Sequence, residues 1–121
     1  MSVDFTGLTL LESQRIATPT NGAIYGAVWS KNTAFILYGM EIIVLTAGAQ
    51  AASECRLETF DGVTTMATRV TGTSAAGTTF LDLVTDANKV RAANTSYRIR
   101  HITTDASAIY VVKVWGTPAI V

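Results

Sequence analysis

Cysteine and histidine are almost missing from this chain. Cys55 is the one thiol, so no disulfide can close within the chain and no cysteine-rich metal site can be built; it reads as a small buried hydrophobe. His101 is the one imidazole, so no second histidine can complete a metal set and no Ser-His-Asp arrangement can be defended. Charge is scarce as well. Charged residues make up 15% of the chain, against about a quarter in ordinary soluble domains. Nine basic residues balance nine acidic ones, so no long-range field gathers phosphate backbones or acidic membranes, and nucleic acid is disfavoured as a partner. The glycines are spread over turns, with no Gly-rich phosphate loop leading into a helix. The aspartates are isolated, which excludes an acidic Ca²⁺ loop.

Targeting signals are thin too. The start, MSVDFTGLTLLES, has no basic segment followed by an apolar run, so nothing points to secretion, and the glycosylation sequon Asn94-Thr95-Ser96 reads as chance. Residues 33–52, TAFILYGMEIIVLTAGAQAA, have the length of a membrane helix. Glu41 sits mid-window, however, where an acid costs about 3 kcal/mol on insertion. The second half is Ala, Gly and Gln. A buried strand followed by a small-residue loop accounts for the window better, and no membrane partner is expected.

What the chain does have is apolar residues and threonine. Hydrophobic residues reach 49% of 121, enough for one domain with a core that needs neither disulfides nor metal. With so few charges, some apolar area should stay on the outside of a monomer, open to a partner. Nineteen threonines and 17 alanines suit a half-exposed pleated surface with closely spaced layers. Turn signals recur about every ten residues. Asn21-Gly22 and Asp61-Gly62 are the strongest, because type I′ turns need positive φ at both central positions. Ser30-Lys31-Asn32-Thr33 and Thr104-Asp105-Ala106-Ser107 are weaker. The breaker at 72–77 (GTSAAG) and the longer polar connection at 85–96 (TDANKVRAANTS) complete the set. Between them lie strand-like runs at 23–30, 34–46, 54–60, 64–71, 78–85, 97–104 and 108–115, with Gly39 a bulge in the second. Residues 1–18 supply either an arm or the first strand; LTLLESQRI, 8–16, comes nearest to a helical pattern. The expectation is an all-β, antiparallel, jelly-roll-like sandwich of about eight strands, spanning 1–121 as one domain.

Strand alternation assigns faces. In SYRIRHIT, 96–103, Tyr97, Ile99 and His101 share one side, and Arg98 and Arg100 point the other way. His101 therefore reads as a core or boundary residue rather than a catalytic one. In ECRLETF, 54–60, Cys55 and Leu57 lie opposite Glu54, Arg56 and Glu58. The rows Glu54/Glu58 and Arg98/Arg100 are expected on a solvated sheet face, where exposed pairs contribute under about 1 kcal/mol each; the functional reading is a charge match that orients an interface. A glycosidase-like use of Glu54 and Glu58 is disfavoured, since both sit on one strand without a cleft. In AIYVVKVWG, 108–116, Tyr110, Val112 and Val114 form one side, and Ile109, Val111, Lys113 and Trp115 the other. A strand apolar on both sides is central in a sandwich or faces another molecule. The residues 34–46 behave likewise, with Glu41 their one charge. Phe5, Leu8, Leu10, Ile109, Val111 and Trp115 are the candidate subunit or capsid interface, with Glu54, Glu58, Arg98 and Arg100 as candidate interfacial charges. No catalytic residue and no metal ligand is assigned.

The runs IYGAVWS, ECRLETFDG, AAGTTFLDL, YRIRHIT and AIYVVKVWG, in a Thr/Ala/Gly-rich chain with one cysteine, resemble the small β-sandwich structural proteins of tailed phages. Within that group the pattern is similar to head decoration (cement) and minor virion proteins. The resemblance implies a non-enzymatic virion protein that forms a trimer or other symmetric homo-oligomer on a capsid surface. It implies binding to the major capsid protein and assembly in a host cytoplasm, without a cofactor or small-molecule substrate. A tail or fibre component is the nearest alternative. A carbohydrate-binding module would need Trp29, Tyr25, Tyr110 or Trp115 on an open platform. An enzyme would rest on His101 or Glu58.

Overall fold

The alternation read along AIYVVKVWG is the organising feature of the molecule. In the computed structural model, which describes residues 8–17, 22–48, 51–103 and 108–118, buried and half-buried residues alternate one by one from Ala108 to Thr117. This strand, β10 (Ile109–Pro118), lies between β1 (Thr9–Ala17) and β4 (Phe35–Thr46), antiparallel to both. On the far side of β4 is β7 (Thr79–Leu83), and the two-residue β8 (Val90–Arg91) pairs with the start of β4. The second sheet runs β2 (Gly22–Tyr25), β9 (Ser96–Thr103), β5 (Glu54–Thr59) and β6 (Thr65–Val70), with β3 (Trp29–Ser30) also on β9. Setting aside the two short strands β3 and β8, the orders β1-β10-β4-β7 and β2-β9-β5-β6 are those of a jelly roll, in which the chain keeps crossing between the sheets. The protein is an antiparallel β-sandwich of this kind.

The core lies between the sheets. From the first come Phe35, Leu37, Met40, Ile42, Val44, Tyr110, Val112 and Val114; from the second come Cys55, Leu57, Met66, Tyr97 and Ile99. Each fully buried aliphatic or aromatic side chain contributes about 1.5–3 kcal/mol, so these two rows dominate folding. At one end Trp29, Phe35 and Tyr97 pack ring on ring, with centroids 4.9 to 6.0 Å apart. Gly116 marks a close approach between strands: a Cβ there would stand 2.2 Å from the Ile36 carbonyl oxygen.

Both open seams of the sandwich are closed by polar side chains reaching across. At the β1/β2 side, Gln14 donates from Nε2 to the Ala27 carbonyl at 2.7 Å, over Gly26, where a Cβ would meet Gln14 Oε1 at 1.9 Å. At the β6/β7 side, Arg69 donates to both oxygens of Asp82, through Nε at 2.8 Å, and its guanidinium lies 5.2 Å from the Phe80 ring centroid. The Asp82 carboxylate raises the Arg69 pKa further.

Several local expectations change. LTLLESQRI is strand, not helix, because pairing with β10 along its length overrides local preference. The run 23–30 breaks at Gly26–Val28, where Gly26 N–H bonds the Ile99 carbonyl at 2.8 Å and Gln14 crosses. The Asp61-Gly62 turn is not type I′. Only Gly62 has positive φ, 76°; its N–H donates to the Thr59 carbonyl at 2.8 Å, and Asp61 Oδ1 accepts from Thr59 Oγ1 and the Val63 N–H at 2.6 and 3.0 Å. Those bonds hold the Asp61 carboxyl below its ordinary pKa. Asn21 and the 104–107 turn lie outside the described residues. The polar connection 85–96 contains a single helical turn, α1 (Asp86–Lys89), as well as β8. The bulge at Gly39 is present: Tyr38 and Gly39 are accommodated opposite Trp115 where the β10–β4 register shifts. The apolar window 33–52 is mostly β4, and among the described residues no helix is long and apolar enough to cross a membrane.

Candidate interaction faces of the two sheets

The candidate residues segregate onto the outer faces of the two sheets, and the faces differ in kind. On the first sheet, cross-strand register defines three rows. Leu10, Trp115, Gly39 and Leu83 form one; Ser13, Lys113, Glu41 and Leu81 the next; Arg15, Val111, Ile43 and Thr79 the third. Leu10 and Leu83 are 43% and 53% exposed, and Ile109, Val111, Trp115, Ile43 and Leu81 are half-buried. Lys113 and Glu41 are the charges at its centre. Trp115 Nε1 donates to Glu41 Oε1 at 3.2 Å, so the indole leans along the face instead of standing off it. Six of these twelve positions, Leu10, Trp115, Leu83, Leu81, Val111 and Ile43, carry apolar side chains, and such a clustering on an outer face favours a partner.

Of the six apolar candidates, Leu10, Ile109, Val111 and Trp115 come together on or beside this face. Leu8, half-buried, precedes β1, and Phe5 lies outside the described residues. Sequence reading did not single out Ile43, Leu81 or Leu83. The signal for Ile43 was in β4, apolar on both sides. Only the strand order, which seats β4 beside β10 and β7 beside β4, joins these residues to the candidates.

The outer face of the second sheet is ionic. Glu54, Arg56 and Glu58 of β5 stand opposite Ile102, Arg100 and Arg98 of β9. Here the expectation of a solvated row is corrected. Glu58 is 1% exposed: Arg98 Nε donates to Glu58 Oε1 at 2.9 Å, and Arg100 Nε lies 3.3 Å from the same oxygen. The two guanidinium stems cover the carboxylate. Arg56 and Arg100, directly opposite each other, would repel; Glu54 answers Arg56 at 2.5 Å as Glu58 answers Arg100. Arg98 also lies over the Phe60 ring, 5.8 Å from its centroid. Each charge on this face has an opposite partner within the sheet, three arginines to two glutamates.

The residues of the competing readings are placed as follows. His101 is buried between the sheets, edge-on to Tyr110 at 4.3 Å between centroids, beside Cys55 across the ladder. Burial pushes the Cys55 thiol up to about 12, with Glu54 adding to the effect, so it stays a thiol. Trp29 and Tyr110 are core residues and form no sugar platform; the side chain of Tyr25 lies outside the description. A recess of about 230 Å³ is lined by Thr59, Phe60, Asp61, Thr95 and Ser96, where Asp61 is tied into its own turn. Among the described residues no group of three or more His, Cys, Asp or Glu could hold a metal ion.

No family model matches the chain, and no curated protein matches it. Among solved structures, infectious bursal disease virus of the Gt strain overlays 88% of this chain and 32% of its own, with TM-score 0.37 and 17% identity. The Gx strain overlays 86% and 31%, with TM-score 0.32 and 18% identity. A mutant VP2 protein of that virus, from derived T=1 particles, overlays 92% and 37%, with TM-score 0.30 and 14% identity. The chain thus spans about a third of the length of the viral chains it overlays.

Proposed function

We propose that this chain is a non-enzymatic structural protein of a virion, and within that class a head decoration (cement) protein that stabilises a phage capsid from outside. The observation that carries the reading is the apolar outer face of the β1-β10-β4-β7 sheet. A rigid sandwich that leaves such a face uncovered is built to pack against neighbours, and contacts that are small singly multiply when symmetry repeats them. The core position of His101 and the pairing of Glu58 with two arginines weigh against the enzyme reading. The partners are further copies of the chain and the major capsid protein, and the place is the virion surface.

The test is cosedimentation of the purified chain with phage heads stripped of decoration, alongside native mass spectrometry of the chain alone. Saturable, symmetric binding that raises the temperature at which the heads disrupt is the expected outcome. A chain that stays monomeric at micromolar concentration and ignores the heads would end this reading.

A further inference from the structure

Resting on that assembly reading, we infer that the outer face of the β1-β10-β4-β7 sheet closes against the same face of a second copy. The two-fold axis runs parallel to the strands, midway between β10 and β4. Cross-strand register places the axis there. Such an axis keeps each row at its height and reverses its order, so β10 of one copy lies over β4 of the other.

In the central row, Lys113 then faces the partner's Glu41, and Glu41 faces the partner's Lys113. Within one chain these two are cross-strand neighbours, yet Lys113 makes no ion pair among the described residues. Trp115 holds one oxygen of Glu41 and leaves the other open. In the row above, Leu10 meets the partner's Leu83, while Gly39, the cross-strand neighbour of Trp115, is already buried within its own chain. In the row below, Val111 meets the partner's Ile43. The match lies in the two middle strands and the Leu10–Leu83 pair, cation to anion and apolar to apolar; at the edges Ser13 meets the partner's Leu81 and Arg15 the partner's Thr79.

This is the self-complementarity that a two-fold contact requires. A three-fold arrangement, the one expected from the phage resemblance, would set this face on some other surface and leave Lys113 to find a different anion. The size agrees. Four strands about 4.8 Å apart and about 3.4 Å of rise per residue over the nine residues of β1 give a face of roughly 600 Å², near the roughly 800 Å² each partner gives to a stable dimer. Sheets so stacked pack roughly aligned, about 10 Å apart.

The experiment is a charge-swap cycle read by sedimentation equilibrium and native mass spectrometry, with circular dichroism confirming that each variant is folded. The wild-type chain should be a dimer at micromolar concentration. Lys113→Glu and Glu41→Lys should each weaken it about tenfold or more, because like charges then face each other, and the double swap should bring the dissociation constant back to within about threefold. Val111→Glu, away from the ion pair, should also dissociate it and supplies a second route should either swap fail to fold. A monomeric or trimeric wild type, or a double swap as weak as the single changes, overturns the pairing. The head-binding assay separates the two levels. A wild-type monomer that decorates heads removes the pairing and leaves the assembly role standing. A rescued dimer that ignores heads keeps the pairing and removes the role.

Discussion

Each outer face of the sandwich carries a glutamate on an inner strand, and the two live in opposite surroundings. Glu58 of β5 is buried beneath Arg98 and Arg100, which both reach its Oε1. Glu41 of β4 is half-buried among aliphatic side chains, held only at one oxygen by an indole N–H. The second sheet pairs the charges of its outer face among its own residues, three arginines sharing two glutamates. The first has left a largely apolar surface with Lys113 and Glu41 side by side at its centre and Arg15 at its edge. A charge cluster that satisfies itself gains nothing from a partner, because breaking it would expose a desolvated carboxylate. An apolar face with unmatched charges does gain. The difference assigns structural work to one sheet and association to the other.

Exchanging those carboxylates for alanine tests that division most severely. Glu58→Ala strips two guanidiniums of a shared counterion. It should lower the unfolding free energy by about 2–3 kcal/mol, somewhat under the range for fully buried pairs, because the arginines are about a fifth exposed. Glu41→Ala should move the stability of the isolated chain by less than about 0.5 kcal/mol. Urea denaturation of both variants at low protein concentration measures the gap, and equal losses would erase the contrast.

The seam between the faces comes next in size. Arg69→Ala removes a bidentate pair to Asp82 and should cost about 1 kcal/mol, because Arg69 is partly exposed. It should leave association unchanged, since the seam lies off the apolar face. A shift in oligomer mass for this variant would show that association is not confined to the first sheet.

The remaining effect, confined to alkaline solution, is a pH slope. The Cys55 thiol, raised to about 12 by burial and by Glu54, has an ordinary value of 9.0. Above that value the unfolded chain gives up a proton that the folded chain keeps. Stability is therefore complete below about pH 9 and declines as pH rises towards 12, by at most about 1.4 kcal/mol per pH unit. Cys55→Ala should flatten this part of the profile; a slope that persists unchanged must come from other groups.

How much of this was legible in the residues differs from place to place. The two sides of β10 could be read directly, because Tyr110, Val112 and Val114 alternate with Ile109, Val111, Lys113 and Trp115, and a strand has a period of two. His101 could be placed in the core for the same reason, sharing a side with Ile99 and Tyr97. The burial of Glu58 could not be read. Alternation put it on an outer face, correctly, but its exposure depends on Arg98 and Arg100, 40 residues and more away in the chain and adjacent only through the β5–β9 ladder. Leu81 and Leu83 were likewise illegible as interface residues, since nothing local says that β7 borders β4. The helix-like pattern of LTLLESQRI was overridden by seven cross-strand partners on β10.

The residue pattern alone settled that this chain is all β, that its strands alternate faces, and that it has more apolar surface than charge to cover it; these follow from composition and short-range periodicity. The order of the strands, the pairing of the seams and the contrast between a self-satisfied ionic face and an open apolar one were decided by tertiary structure. The reason is that a jelly roll makes its contacts between strands far apart in the chain, and the environment of a side chain is set by those neighbours rather than by the residues beside it in sequence.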